Sequence, residues 1–330
     1  MSQKTSTRRG FIRNTAMVAG AAGLAGCTQL SPGTTAADPA ASGPSRPLRV
    51  KYGLNLLVYT ATFSKDQTDL IRKVADMGYD GVEIPFNDLS VLDAKATRRA
   101  CEKAGVGLTS CCVLMPGTNL CSDKKAERTA GIARLRKLID ITAEMGGDMV
   151  AGPLYAPVGY LTGRWRTEDE WKWCVEGLSA GAEHAAKGGV RLAVEPLNRF
   201  ETYVINTAAD AVKLAKEVGN PSFKVQIDTF HGGIEEKDMA AAIRATGDYL
   251  GHFHASENDR GIPGTGQVRW KEVFAALKAI DYTGWVTIES FATGIVDLCA
   301  AACIWRPIYD SADNLAKHGL AFRRETARTA

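Results

Sequence analysis

From Val50 onward, short apolar or β-branched runs alternate with longer stretches whose apolar residues recur at helical spacing. The short runs predict strands over Gly53–Tyr59, Asp80–Pro85, Gly107–Leu114, Asp148–Leu154, Arg191–Pro196, Lys224–Thr229, Leu250–Ser256 and Trp285–Ser290. Between them the pattern predicts helices over Lys65–Met77, Ala94–Ala104, Lys124–Met145, Thr167–Lys187, Ala208–Val218, Lys237–Ala245 and Lys271–Ile280, with an eighth over Gly294–His318. Thr167 and Glu170 have the spacing of a capping box, and Gly219-Asn220-Pro221 is a stop signal. Eight strands, eight helices and no compositional break after Pro47 predict one α/β domain over residues 48–330, a single (β/α)₈ barrel. A doubly wound sheet is the alternative, but no Gly-rich phosphate turn follows the first strand. Gly264-Thr265-Gly266 comes after the seventh strand without a phosphate-loop lysine and serine behind it, and reads as a loop.

The segment before residue 48 reads differently. Thr7-Arg8-Arg9-Gly10-Phe11-Ile12-Arg13 resembles a twin-arginine export motif, and the weakly apolar stretch behind it, Thr15 to Gly26, is too short to span a bilayer. Leu24-Ala25-Gly26-Cys27 resembles a lipobox, so residues 1–27 are expected to be a signal peptide with Cys27 as the acylation site. Residues 28–47, rich in Thr, Ala, Ser, Pro and Gly, suit a flexible linker. The expected address is the periplasm, with membrane attachment through a lipidated Cys27.

Composition then narrows the class. With 45% hydrophobic and 23% charged residues the chain has the make-up of a soluble globular enzyme. A net charge of +3, part of it in the first residues, gives no argument for a nucleic-acid partner. Beyond Cys27 the chain has Cys101, Cys111, Cys112, Cys121, Cys174, Cys299 and Cys303, an odd set without a Cys-x-x-Cys pair. Neither a zinc knuckle nor a full disulfide set is indicated; reduced, mostly buried thiols are expected.

The chemistry gathers at strand ends. Leu192–Val194 reads as a strand buried on both faces; Glu195 follows, and Pro196 removes a ladder donor. A carboxylate at the mouth of an apolar strand needs a cation or proton to compensate it. Asp228, His254 and Glu289 end the next three strands, at spacings of 33, 26 and 35 residues, close to one βα repeat each. In a parallel barrel these ends share the face where active sites sit. Two glutamates, an aspartate and a histidine form a hard, oxygen-rich donor set suited to Mn²⁺, with Co²⁺ or Mg²⁺ as alternatives, better than to structural zinc. Glu201, His231 and Arg260 lie just beyond these ends, on loops over the same mouth. His252 lies two residues before His254, on the same side of the strand, and is expected to be a supporting or structural residue.

With these positions in view, the chain resembles the ketose 3-epimerases, the D-tagatose and D-psicose 3-epimerase group of the xylose-isomerase-like barrels. The resemblance spans about Val50 to Ser290. It rests on Val194-Glu195-Pro196-Leu197-Asn198-Arg199-Phe200-Glu201, Ile227-Asp228-Thr229-Phe230-His231, His252-Phe253-His254-Ala255-Ser256-Glu257-Asn258-Asp259-Arg260-Gly261 and Ile288-Glu289-Ser290. It implies one divalent metal on Glu195, Asp228, His254 and Glu289. It also implies that Glu201, His231 and Arg260 hold the O1 and O2 end of a sugar. Glu195 and Glu289 are the expected acid/base pair for inversion at C3 through a cis-enediolate. Leu56-Leu57-Val58-Tyr59 departs from the family, lacking an aromatic cluster that often lines the sugar pocket. Alternatives are an aldose–ketose isomerase, a lyase or dehydratase acting on a sugar or 3-keto sugar, and, in another class, a non-catalytic sugar-binding lipoprotein. A homo-oligomer is expected.

Overall fold

The computed structural model describes residues 47–86 and 88–330. The export motif, the lipobox and the linker through Arg46 lie outside them.

Eight strands close into one parallel barrel in sequence order: β1 (Lys51–Asn55), β2 (Gly81–Phe86), β3 (Gly107–Cys112), β4 (Met149–Gly152), β5 (Arg191–Val194), β6 (Phe223–Asp228), β7 (Leu250–His254) and β8 (Trp285–Ile288). β8 pairs in parallel with β1, Gly53 lying opposite Thr287, and this closes the ring. The outer layer is built from α1 (Asp69–Asp76), α2 (Ala94–Ala104), α3 (Lys125–Glu144), α4 (Glu168–Lys187), α5 (Ala208–Val218), α6 (Thr229–Glu235), α7 (Met239–Thr246), α8 (Trp270–Ala279), α9 (Val296–Ala301) and α10 (Ala312–Thr329). Caps fix several starts: Thr167 and Glu170 form the anticipated capping box, and Thr207 accepts from Asp210 N. Among the described residues no helix is long and apolar enough to cross a membrane.

The barrel interior is filled from below. Trp285, near the start of β8, reaches across to β2 and β3, where its ring occupies the space that a Cβ at Gly81 or Gly107 would need. Leu54, Val150, Leu192, Val225, Phe253 and Ile288 alternate with the inward positions and are fully buried between the strands and the helices; each contributes roughly 1.5–3 kcal/mol relative to exposure. The charged groups are thereby concentrated at the upper end.

Three elements differ from expectation. β1 stops at Asn55, because the buried Asn55 side chain accepts from Leu57 N at 2.9 Å and turns Leu56–Val58 into a 3₁₀ helix. α6 follows β6 directly, started by Asp228, whose Oδ1 accepts from Phe230 N at 2.7 Å. The eighth helix is two helices, α9 and α10, broken after Cys303, which adopts φ +54°, by a stretch containing Pro307. The seven cysteines from Cys101 to Cys303 are free thiols.

Candidate active site and metal centre

Each candidate residue is placed by its strand. Glu195 N donates to Gly152 O at 3.0 Å, which carries the β4–β5 ladder one residue further and turns the carboxylate over the mouth. Asp228 spends Oδ1 on the cap of α6 and keeps Oδ2 for the site. His254 ends β7, and Glu289 directly follows β8. One ligand atom from each of the four lies within 4.8 Å of the others, and all four residues are buried.

Two features fit a cation here. Glu195 Oε1 is buried without a hydrogen-bond partner, an unstable state for a carboxylate oxygen unless a cation or proton meets it. The Nδ1 of His254 faces the carboxylates, at 3.4 Å from Glu289 Oε2 and 3.9 Å from both Glu195 Oε1 and Asp228 Oδ2. Three carboxylates and one imidazole form a set that suits a hard divalent ion.

In the chain itself, Arg260 balances this charge. Its Nη1 donates to Asp228 Oδ2 at 2.6 Å, to Ser256 Oγ at 2.8 Å and to Glu289 Oε2 at 2.9 Å. Burial opposes its charge, but Asp228 and Glu289 outweigh that and hold the guanidinium firmly protonated. Arg260 reaches this position from a left-handed backbone, φ +64°, a strained conformation for a non-glycine residue. Its loop is held by the fully buried Glu257, which accepts from Gly264 N, Val268 N, Asn258 N and Trp270 Nε1 at 2.8–3.1 Å.

His231 and Glu201 complete the rim. The backbone N–H of Asn198 donates to His231 Nδ1 at 3.2 Å and its side-chain amide lies 2.9 Å from the same nitrogen, while Arg260 Nη2 lies 3.2 Å from Nε2. Burial pulls the His231 pKa down to about 3, which keeps the ring neutral. Asn198 also donates to Glu201 Oε1 at 2.8 Å, and burial raises the Glu201 carboxyl.

The two expected acid/base glutamates are shifted in opposite directions by their surroundings. Burial raises both, but His254 and Arg260 bring Glu289 down to about 2. For Glu195, burial together with the neighbouring Glu289 and Asp228 charges prevails over His254, and its carboxyl is pushed well above the usual range.

These groups open into a cavity of about 240 Å³. Glu195, Glu201, His231, Arg260 and Glu289 line one side. Leu57, Val113, Val158, Phe291, Leu298 and Ala301 make much of the rest apolar. Leu57 replaces an aromatic wall with an aliphatic one, while Phe230 and Phe291 supply ring surface from the other side.

Sequence reasoning missed part of the site. Glu83, inside β2, is fully buried beneath it with both oxygens engaged by β1, β3 and β7. The missed signal is the one that drew attention to Glu195: a carboxylate in an apolar run just before a proline, here Val82-Glu83-Ile84-Pro85. Cys111, expected to be only a buried thiol, lines the cavity with Sγ 3.7 Å from Glu289 Oε1. Gln226, two residues before Asp228, contacts His254 Nδ1 at 2.9 Å.

Comparison with known proteins agrees with this geometry. The Xylose isomerase-like TIM barrel family matches residues 71–326. A D-psicose 3-epimerase of Agrobacterium fabrum is 34% identical over 285 residues, covering 83% of this chain and 98% of its own. An L-ribulose 3-epimerase of Methylomonas sp. is 33% identical over 282 residues, covering 84% and 98%. The crystal structure of a D-allulose 3-epimerase from Methylomonas sp., in complex with D-allulose, superposes with a TM-score of 0.79 at 32% identity, covering 85% of this chain and 98% of that one. By barrel, strand-end residues and shared sequence along nearly the whole length of these relatives, the chain belongs to the xylose isomerase-like TIM barrels and is an isomerase of their carbohydrate epimerase group.

Proposed function

We propose that the chain inverts C3 of a free ketose of the D-tagatose, D-psicose or D-fructose type. The observation that carries this reading is the pair of buried carboxylates, Glu195 from β5 and Glu289 from β8, that face one cavity beside Asp228 and His254. Inversion needs a base on one face of C3 and an acid on the other. Two equal anions so close together could not supply both.

Glu195, Asp228, His254 and Glu289 would hold one divalent ion, Mn²⁺ being the best match to the donor set. When bound, it supplies Lewis-acid polarisation of the ketose C2 carbonyl and C3 hydroxyl. His231, Arg260 and Glu201 bind the O1 and O2 end. One of Glu195 and Glu289 removes the C3 proton, and Arg260 offsets the charge that develops at O2 of the cis-enediolate. The other returns a proton to the opposite face, and the two exchange roles for the other epimer. The apolar walls exclude water while the enediolate exists. A cavity of about 240 Å³ favours a free monosaccharide over a larger glycoside.

The test is incubation of Mn²⁺-loaded protein with single ketoses, with products read by NMR. The C3 epimer alone is expected. An aldose, a dehydrated sugar or no turnover would replace this reading with isomerase, lyase or sugar-binding function respectively.

We also propose twin-arginine export to the periplasm, with Cys27 acylated, and assembly as a homo-oligomer. Arg8→Lys with Arg9→Lys should retain the precursor in the cytoplasm, and Cys27→Ala should release the exported protein from the membrane fraction. Absence of labelled fatty acid on exported wild-type chain would remove the anchor. A monomer by light scattering would remove the assembly.

A further inference from the structure

Glu83 contributes no atom to the cavity lining, yet both its oxygens are engaged beneath it. Its Oε1 accepts from Asn55 Nδ2 at 2.9 Å and lies 2.7 Å from His254 Nε2. Its Oε2 accepts from Thr109 Oγ1 at 3.0 Å and lies 2.7 Å from His252 Nε2. These partners come from β1, β3 and β7, so the carboxylate cannot swing without breaking contacts on three strands. A fully buried carboxylate is costly to keep without such partners.

The geometry of His254 shows what it can do. A neutral imidazole that donates through Nε2 has its lone pair on Nδ1. That nitrogen faces Glu289, Glu195 and Asp228 at 3.4–3.9 Å, and the Gln226 amide approaches it at 2.9 Å as a donor would. The same carboxylate touches the acid/base pair indirectly, since Asn55 Nδ2 also lies 3.4 Å from Glu289 Oε1.

We propose that Glu83 is a positioning residue: by accepting the Nε2 proton of His254 it fixes that ring's tautomer and aims Nδ1 at the point the three carboxylates face. Thr109 Oγ1 donates to the second oxygen, beside which His252 Nε2 lies. The inference rests on the reading of Glu195, Asp228, His254 and Glu289 as one cation site. Partners of this kind typically change metal affinity by about 10–100-fold when removed.

The experiment compares wild type, Glu83→Gln, Thr109→Val and Asp228→Asn in Mn²⁺ titrations, with free Mn²⁺ read by electron paramagnetic resonance. Histidine ¹⁵N spectra of the diamagnetic Mg²⁺-loaded wild type report the tautomer. Glu83→Gln should weaken Mn²⁺ binding about 10–100-fold and recover most of its kcat when Mn²⁺ is saturating. Thr109→Val, which leaves the His254 contact intact, should bind within about 3-fold of wild type, and the wild-type spectrum should show His254 protonated at Nε2. Wild-type affinity in Glu83→Gln, with a lowered Tm alone, would mean that Glu83 only fills the core. A proton on Nδ1 in the Mg²⁺-loaded wild type would overturn the proposal even if Glu83→Gln failed to fold. Should Asp228→Asn bind Mn²⁺ normally, the four-residue site is wrong; should it lose the ion while Glu83→Gln keeps it, only the positioning role falls.

Discussion

Strands β5–β8 and strands β1–β4 close the same barrel in the same parallel sense, yet they bring different chemistry to its mouth. From the second half come Glu195, Asp228, His254 and Glu289, with Glu201, His231 and Arg260 on the loops behind them. From the first half come Leu57, Pro85, Val113 and Pro153 as cavity wall, and Asn55, Glu83 and Thr109 beneath it. Charge that meets the ligand is thus confined to one side. The other side supplies shape and sets the Glu83 carboxylate against the His254 ring. A site divided in this way should respond differently to damage on its two sides.

Removal of the cation should have the largest effect, because it disables the second half as a unit. Chelation should abolish turnover and lower Tm, since a ligand bound only by the folded state stabilises it, and Mn²⁺ or Co²⁺ should restore both. Full activity after verified metal removal would end the metal reading. Next come Glu195→Gln and Glu289→Gln, each expected to lower kcat by at least ~10²-fold, with metal content measured on the same samples. Arg260→Ala should follow. It leaves Asp228 and Glu289 without their guanidinium, so KM should rise while loaded protein keeps about one ion per chain. Loss of the ion would mean that Arg260 supports the metal rather than the sugar.

A first-half change should be milder. Val113→Ala removes apolar wall and no polar contact. A lost methylene in a pocket is worth ~1–3 kcal/mol, so KM should rise at the low end of that range with kcat within about 2-fold. A collapse of kcat would erase the contrast between the halves. The effect of His231 titration falls on stability rather than turnover. Its folded pKa of about 3 lies below the unfolded value, so the unfolded chain binds more protons between them. Stability should therefore rise with pH from about 3 to ~6.5, and this slope should be shallower in His231→Asn, as followed by denaturant melts. An unchanged slope would mean that His231 is protonated in the fold.

The contrast also explains what was legible in the sequence. The eight strands could be read because each is a compact apolar run between helices of regular period. The second-half cluster could be read because its members stand at or just past strand ends, one βα repeat apart, where an apolar pattern stops on a polar residue. Glu83 has no such position. In Gly81-Val82-Glu83-Ile84 it has the alternation of a half-exposed strand, and only barrel closure turns that face inward. Asn55 was hidden because the run of apolar residues continues through Leu56-Leu57-Val58, while its own side chain ends the strand by capping Leu57 N. α6 was missed for a related reason: Asp228 reads as a strand-end ligand and is at once the cap of the next helix.

The central claim is that Glu195 and Glu289 work on opposite faces of C3. The most direct measurement is turnover of a free ketose by the Mn²⁺-loaded protein in D₂O, with the position of deuterium read by NMR for wild type and both glutamine variants. The account predicts deuterium at C3 with C1 unlabelled. In a glutamine variant, it predicts exchange of the C3 proton in one epimer without completed inversion. Deuterium at C1, or equal loss of exchange from both epimers in both variants, would contradict it.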